Sequence, residues 1–157
     1  MIEVGAKLPD ATFSLIDGDD MKNPSTTDLF AGKKVVLFAV PGAFTPTCSM
    51  AHLPGYVAVA DKMKAAGVDD IICLSVNDAF VMDAWGKASN AEHLTMLAEG
   101  NGAFAKAIGL EMETDAFGGL RAQRFSMLVD DGVVKALNVE APGKFEVSDA
   151  ETMMKAL

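Results

Sequence analysis

Val35-Val36-Leu37-Phe38-Ala39-Val40-Pro41-Gly42-Ala43-Phe44-Thr45-Pro46-Thr47-Cys48 opens on a continuous apolar run and closes on a cysteine. A strand with one wet face alternates apolar and polar residues; an unbroken run ended by Pro-Gly reads as a strand buried on both faces. Beyond the loop, the spacing predicts a helix from Thr47 to Ala66. Met50, Leu53, Val57, Ala60 and Lys64 fall at three- and four-residue steps, and Gly67 supplies a stop. Pro54 removes the hydrogen bond to the Met50 carbonyl, so a kink is expected there. Cys48 stands where that helix starts.

Outward from this unit, the same patterns recur. On the N-terminal side, Ala11 to Ile16 reads as part of a strand pair turning at Asp17-Gly18-Asp19-Asp20, with a short helix at Thr26 to Phe30. On the C-terminal side, Ile71 to Val76 is a second buried strand, followed by a helix capped by Asn77 or Asp78 and carrying Phe80, Val81, Ala84 and Trp85. Leu94 to Leu97 is a third short strand and Gly102 to Ile108 a helix. Phe125 to Val129 and Val133 to Val139 form a hairpin across Asp130-Asp131-Gly132, a turn sequence suited to positive φ. Val147 to Leu157 reads as a helix opened by Ser148, with Asp149 and Glu151 in its first turn. Alternating strands and helices give a parallel centre and the hairpin adds antiparallel strands: a three-layer α/β sandwich with a mixed sheet. No repeat or linker divides residues 1–157, which are read as one domain.

Composition narrows the functions available. The 157 residues carry 13 Lys and Arg against 22 Asp and Glu, a net charge of −9, which disfavours nucleic acid and anionic membrane surfaces. No apolar run reaches the roughly 18–20 residues of a membrane span. Met1 to Gly5 shows no basic region followed by an apolar stretch, so no secretory signal is expected. Two cysteines are too few for a secreted disulfide framework, and free thiols point to a cytoplasmic chain. The 10 methionines are scattered at core-like spacings and read as packing.

Cys48 and Cys73 invite different readings. Free cysteine is often an inert buried residue, and Cys73, inside an apolar strand, fits that description. Cys48 has a context of its own: unpaired N–H groups and the positive end of a helix dipole favour thiolate at a helix start. The end of a parallel strand, where a helix begins, is also where open α/β sheets place their sites. His52 lies four residues on, but two cysteines and two histidines without paired spacing make a poor zinc signal. A cysteine-protease dyad with His52 or His93 lacks an orienting partner. His93 is expected at the surface, and no phosphate loop or dinucleotide fingerprint is present.

Three blocks together resemble one family. Pro41-Gly42-Ala43-Phe44-Thr45-Pro46-Thr47-Cys48-Ser49 resembles the peroxidatic-cysteine motif of peroxiredoxins, and His52-Leu53-Pro54-Gly55 continues it as in the type II, peroxiredoxin-five-like subfamily. Cys73 to Phe80, and Arg124 to Met127 followed by Asp131 to Glu140, are similar to the same subfamily in the same order. The resemblance implies a thioredoxin-like fold with an N-terminal β extension. It also implies a thiol-dependent peroxidase acting on hydrogen peroxide and alkyl hydroperoxides, with no cofactor.

The implied chemistry names its residues. Cys48 is the nucleophile and becomes a sulfenic acid. The N–H groups of Thr47 and Cys48 donate to the bound peroxide, and the Thr45 hydroxyl bridges thiolate and substrate. Arg124 is the fixed cation, with Arg121 assigned to the Gly-rich loop; Pro41 shields the pocket and His52 lines it. Some relatives carry a resolving cysteine near the C-terminus; here Lys144 to Ala150 has none. A one-cysteine cycle resolved by glutathione with glutaredoxin, or by thioredoxin, is therefore expected. The helix carrying Phe80 and Trp85 is used by type II relatives, with the active-site loops, to form a homodimer; a homodimer is expected here, with core packing of both residues as the alternative. A thioredoxin-like disulfide reductase lacks its second thiol, because Thr45 stands where Cys-x-x-Cys needs the first cysteine. A non-enzymatic redox sensor or holdase using Cys48 is the alternative of a different class.

Overall fold

The alternation hidden inside the apolar run sorts the core. Val35, Leu37 and Ala39 face one apolar cluster, and Val36, Phe38 and Val40 face another. In the computed structural model, which describes residues 1–157, the elements are β1 (Leu15–Asp17), β2 (Asp20–Lys22), α1 (Thr26–Phe30), β3 (Lys34–Val40), a π-helical turn (Cys48–His52), α2 (Leu53–Ala65), β4 (Asp70–Ser75), α3 (Ala79–Ala88), β5 (Thr95–Ala98), α4 (Ala103–Ala107), β6 (Glu111–Glu113), β7 (Leu120–Ala122), β8 (Phe125–Asp130), β9 (Val133–Val139) and α5 (Ala150–Met154). Five strands form the central sheet in the order β5-β4-β3-β8-β9.

β3 is the middle strand, parallel to β4 (Val36 opposite Ile71) and antiparallel to β8 (Val36 opposite Leu128). β5 adds in parallel beyond β4, and β9 in antiparallel beyond β8. On one face lie Leu29 and Phe30 of α1, Phe104 and Ala105 of α4, and Phe13. On the other lie Leu53, Tyr56 and Met63 of α2, Met82 and Trp85 of α3, and Met153 of α5. These are the three layers expected, and each fully buried large apolar side chain contributes about 1.5–3 kcal/mol by leaving water.

The N-terminal extension protects both edges of the sheet. Gly5 N–H donates to Val134 O at 2.8 Å and Leu8 N–H to Gly132 O at 2.9 Å, beside β9. Ser14 exchanges bonds of 2.9 and 2.8 Å with Ala98 of β5. Unpaired strand edges invite pairing with other chains, and this segment occupies both.

Several boundaries differ from the sequence expectation, each for a local reason. The helix expected from Thr47 to Ala66 with a kink at Pro54 is instead a wide π turn followed by α2. Pro54 has no N–H for the Met50 carbonyl, and the Leu53 N–H reaches back to Cys48 O. Of the two caps expected for α3, Asp78 is the one used, accepting from Val81 N–H at 2.9 Å. The last helix is opened by Asp149 rather than Ser148 and spans only Ala150–Met154; Asp149 accepts from Thr152 N–H at 3.1 Å. The third strand lies at Thr95–Ala98, one residue later than expected.

The β6–β7 hairpin was not foreseen, and it moves Arg121 out of a loop and into β7. The Arg121 Nε donates to Gly118 O at 2.9 Å and Nη1 to Val76 O at 2.8 Å. A Cβ at position 118 would lie 2.6 Å from that guanidinium, so the close approach requires glycine. The β8–β9 turn is as read: Asp131 and Gly132 take φ of 49° and 77°.

Candidate active site

Strand β3 ends by delivering Pro41, and the chain then doubles back before the helix begins. Phe44 takes a φ of 62°, a left-handed conformation that costs a non-glycine residue about 1–2 kcal/mol. Asn77, at the end of β4, braces this loop: its Oδ1 accepts from Ala43 N–H at 3.0 Å and from the Ser75 hydroxyl at 2.6 Å. Ser49 N–H is bonded to Thr45 O at 2.9 Å. The N–H groups of Thr47 and Cys48 precede it in the open first turn, where no intrahelical acceptor is available.

Cys48 is fully buried and free. Its sulfur meets two donors. The Thr45 hydroxyl lies 2.8 Å from Sγ, and Arg124 Nη2 donates to Sγ at 3.0 Å. The same Thr45 oxygen is 2.7 Å from Gly42 O, so its single proton has two acceptors to choose between. Arg124 stands just before β8, whose antiparallel pairing with β3 brings it beside the end of that strand.

The guanidinium is held from behind. Arg124 Nη1 donates to His52 Nδ1 at 2.8 Å, and His52 Nε2 is 3.0 Å from Ser148 O. A guanidinium only donates and a carbonyl only accepts, so the ring is neutral with its proton on Nε2. Burial, reinforced by the Arg124 charge, carries the His52 pKa down to about 3. His52 is fully buried and supports the arginine, which corrects its expected place as a pocket-lining group. Tyr56 donates to the same Ser148 oxygen at 2.8 Å, and burial raises its phenol above the ordinary range.

A cavity of about 270 Å³ is lined by Pro41, Thr47, Gln123, Arg124, Glu140 and Lys144 among others, and Arg124 joins its wall to the sulfur. Thr45 and Arg124 meet at the Cys48 sulfur, and Pro41, Thr47 and Arg124 line the cavity, whereas Thr45 and the fully buried Cys48 are not part of its wall. Cys73 is buried in β4, opposite Phe38, and burial above all pushes its thiol well above the ordinary value. His93 is exposed, and no group of three or more His, Cys, Asp or Glu is placed to hold a metal.

Sequence reasoning missed the residues behind Arg124. Glu140 is buried at the end of β9 and accepts from the N–H groups of Glu146, Val147 and Ser148 and from the Ser148 hydroxyl, at 2.7–2.9 Å. Burial alone would raise this carboxyl, but those donors hold it below its usual value. Its only sequence signal is an acid directly after an apolar strand. Trp85 is also buried, its Nε1 donating to Ser49 Oγ at 2.9 Å, whereas Phe80 is exposed. Trp85 thus belongs to the core.

A buried cysteine at the C-terminal end of a parallel strand, with a cation on its sulfur, defines a thiol-based redox protein on a thioredoxin-like sheet. The Redoxin family model matches residues 3–154. Peroxiredoxin-2B of Arabidopsis thaliana is 49% identical over 159 residues, covering 99% of this chain and 98% of the relative. Hybrid peroxiredoxin hyPrx5 of Haemophilus influenzae is 45% identical, covering 98% of this chain and 65% of the relative. The crystal structure of reduced Prx3 from Vibrio vulnificus in complex with H2O2 superposes with a TM-score of 0.97 at 62% identity, over 99% of each chain. The chain belongs to the redoxin family as a type II, peroxiredoxin-five-like peroxiredoxin, and it is a thiol-dependent peroxidase.

Proposed function

We propose that this peroxidase runs a one-cysteine cycle centred on Cys48. The Cys48 thiolate attacks one oxygen of the hydroperoxide; the S–O bond forms, the O–O bond breaks, and the departing oxygen takes a proton to leave as water or an alcohol. Arg124 and the N–H groups of Thr47 and Cys48 stabilise charge on the oxygens, and Thr45 passes its hydroxyl proton between sulfur and substrate. Pro41 and Thr47 wall the entrance. The observation that carries this reading is the 3.0 Å contact between Arg124 Nη2 and Cys48 Sγ, a cation held on the reacting atom.

The sulfenic acid is then resolved from outside. A thiol of glutathione, with glutaredoxin, or of thioredoxin attacks the oxidised sulfur, expelling water and leaving a mixed disulfide, which a second thiol reduces to free Cys48. The burial of Cys73 and the lack of any third cysteine support this reading over an internal disulfide. Because Cys48 is itself buried, the first turn of its helix must open before a protein or tripeptide thiol arrives. The π turn and Pro54 leave that turn with few regular bonds to break.

Exposed Phe44 and Phe80, beside the site loops, support the proposal that two copies associate across this face; sedimentation velocity tests it, and a monomer across the working concentration range contradicts it. Two free thiols fit a reducing, cytoplasmic setting. The cycle is tested by peroxide turnover with glutathione and glutaredoxin, or with thioredoxin, as reductant. Many turnovers per chain are expected; a single oxidation per chain points to a redox sensor or holdase.

A further inference from the structure

We propose that Glu140 is a positioning residue for the peroxide step: its carboxylate gathers residues 146–148 so that the Ser148 carbonyl holds His52, and His52 holds Arg124 against the Cys48 sulfur. This rests on the reading that Arg124 acts on that sulfur.

The direction of every bond in the relay is fixed by chemistry. Ser148 places both its N–H and its hydroxyl on Glu140 Oε2, at 2.8 and 2.7 Å, which sets where its carbonyl points. That carbonyl takes the Nε2 proton of His52, so Nδ1 must be the lone pair that receives Arg124. The other tautomer would set N–H against N–H and oxygen against lone pair, losing both contacts. The clamped segment also supplies Phe145, whose ring centroid lies 5.8 Å from the Arg124 guanidinium carbon and 4.9 Å from the centre of the His52 ring. Glu140 N–H, finally, is bonded to the Arg124 carbonyl at 3.0 Å.

What this arrangement achieves is a brace without a counter-charge. The only two ion pairs in the chain, Lys22–Asp17 and Lys87–Asp83, are elsewhere, so Arg124 has no carboxylate within ion-pair distance. Glu140 spends its charge on backbone N–H groups and reaches the arginine through a neutral ring. A carboxylate placed directly on Arg124 would orient it equally well but compete with thiolate and peroxide for its charge.

The test is a double-mutant cycle on the reaction of reduced enzyme with one equivalent of hydrogen peroxide, followed by Trp85 fluorescence. Glu140→Gln is expected to slow the reaction by up to about 10²-fold, the scale of a misplaced catalytic group. In the Arg124→Ala background the same change is expected to cost nothing further, because the group it positions is gone. In 15N spectra, wild-type His52 is expected as the Nε2–H tautomer and Glu140→Gln as a mixture, with exposed His93 unchanged as the internal control. Ser148→Ala, which removes only the hydroxyl donor, is a milder probe: a two- to threefold loss is expected, about 0.4–0.65 kcal/mol, again absent without Arg124. A wild-type rate in Glu140→Gln, or losses that multiply with Arg124→Ala, overturns the proposal while leaving the role of Arg124 intact. A wild-type rate in Arg124→Ala itself overturns that role and this inference with it.

Discussion

Arg124 Nη2 lies 3.0 Å from Cys48 Sγ across 76 positions of chain, and the link between them is the pairing of β8 with β3. The cation is therefore held by the fold, whereas Thr45 is held by the local loop. Removing it should affect chemistry more than stability. Arg124→Ala is expected to slow peroxide reduction by about 10²- to 10³-fold, as for other charge-stabilising donors. Arg124→Lys is expected to recover little, because one ammonium cannot span both Sγ and His52 Nδ1. Stopped-flow rates with one equivalent of peroxide check this.

Cys48→Ser is expected to abolish peroxide turnover. Cys73→Ser is expected to retain most of it with a monothiol reductant, since the Cys73 thiol is buried in β4. Steady-state assays of both variants decide it, and a dead Cys73→Ser enzyme that remains folded counts against the one-cysteine cycle.

Thr45→Ser keeps the hydroxyl shared between Gly42 O and Cys48 Sγ, and Thr45→Val keeps only the shape. The serine variant is expected within a few-fold of wild type, and the valine variant slower by at least about tenfold, on the scale of a lost positioned proton donor. Equal rates in the two would remove the hydroxyl from the mechanism.

The parts of this protein legible in its sequence are those written in short-range pattern. The apolar run of β3, the Asp131-Gly132 turn and the helix start at Cys48 each follow from neighbours within a few residues. The β6–β7 hairpin escaped notice because its strands are three residues each, too short for an alternation to register. The family resemblance supplied Arg124, which no spacing would have linked to Cys48. Glu140, Ser148 and His52 were misread or missed because their partners are backbone groups of a loop: the residues 140–148 have no periodicity, and only their folded path makes a carbonyl point at an imidazole. Ser148 looked like a helix cap because serine often is one, but its hydroxyl was already engaged by Glu140.

Acid should loosen the relay through His52. Its pKa falls from 6.5 to about 3 on folding, chiefly by burial and then by Arg124, with the hydrogen bond to the Ser148 backbone, then Glu140 and Asp149, opposing. The unfolded chain takes up a proton below about pH 6.5 that the folded chain refuses until about pH 3, so stability is lost as pH falls through that window. One proton sets the slope at no more than about 1.4 kcal/mol per pH unit. His52→Gln has no such proton. The difference in urea unfolding free energy between wild type and His52→Gln is expected to shrink from pH 7 to pH 4; a constant difference contradicts the neutral, buried assignment.

The most direct measurement of the central claim is intact mass after one equivalent of hydrogen peroxide, with and without glutathione. One added oxygen on Cys48 alone, replaced by a single glutathione adduct at the same residue when the thiol is present, is the expected result. A monomer that has instead lost two hydrogens, with Cys48 and Cys73 joined, contradicts the account.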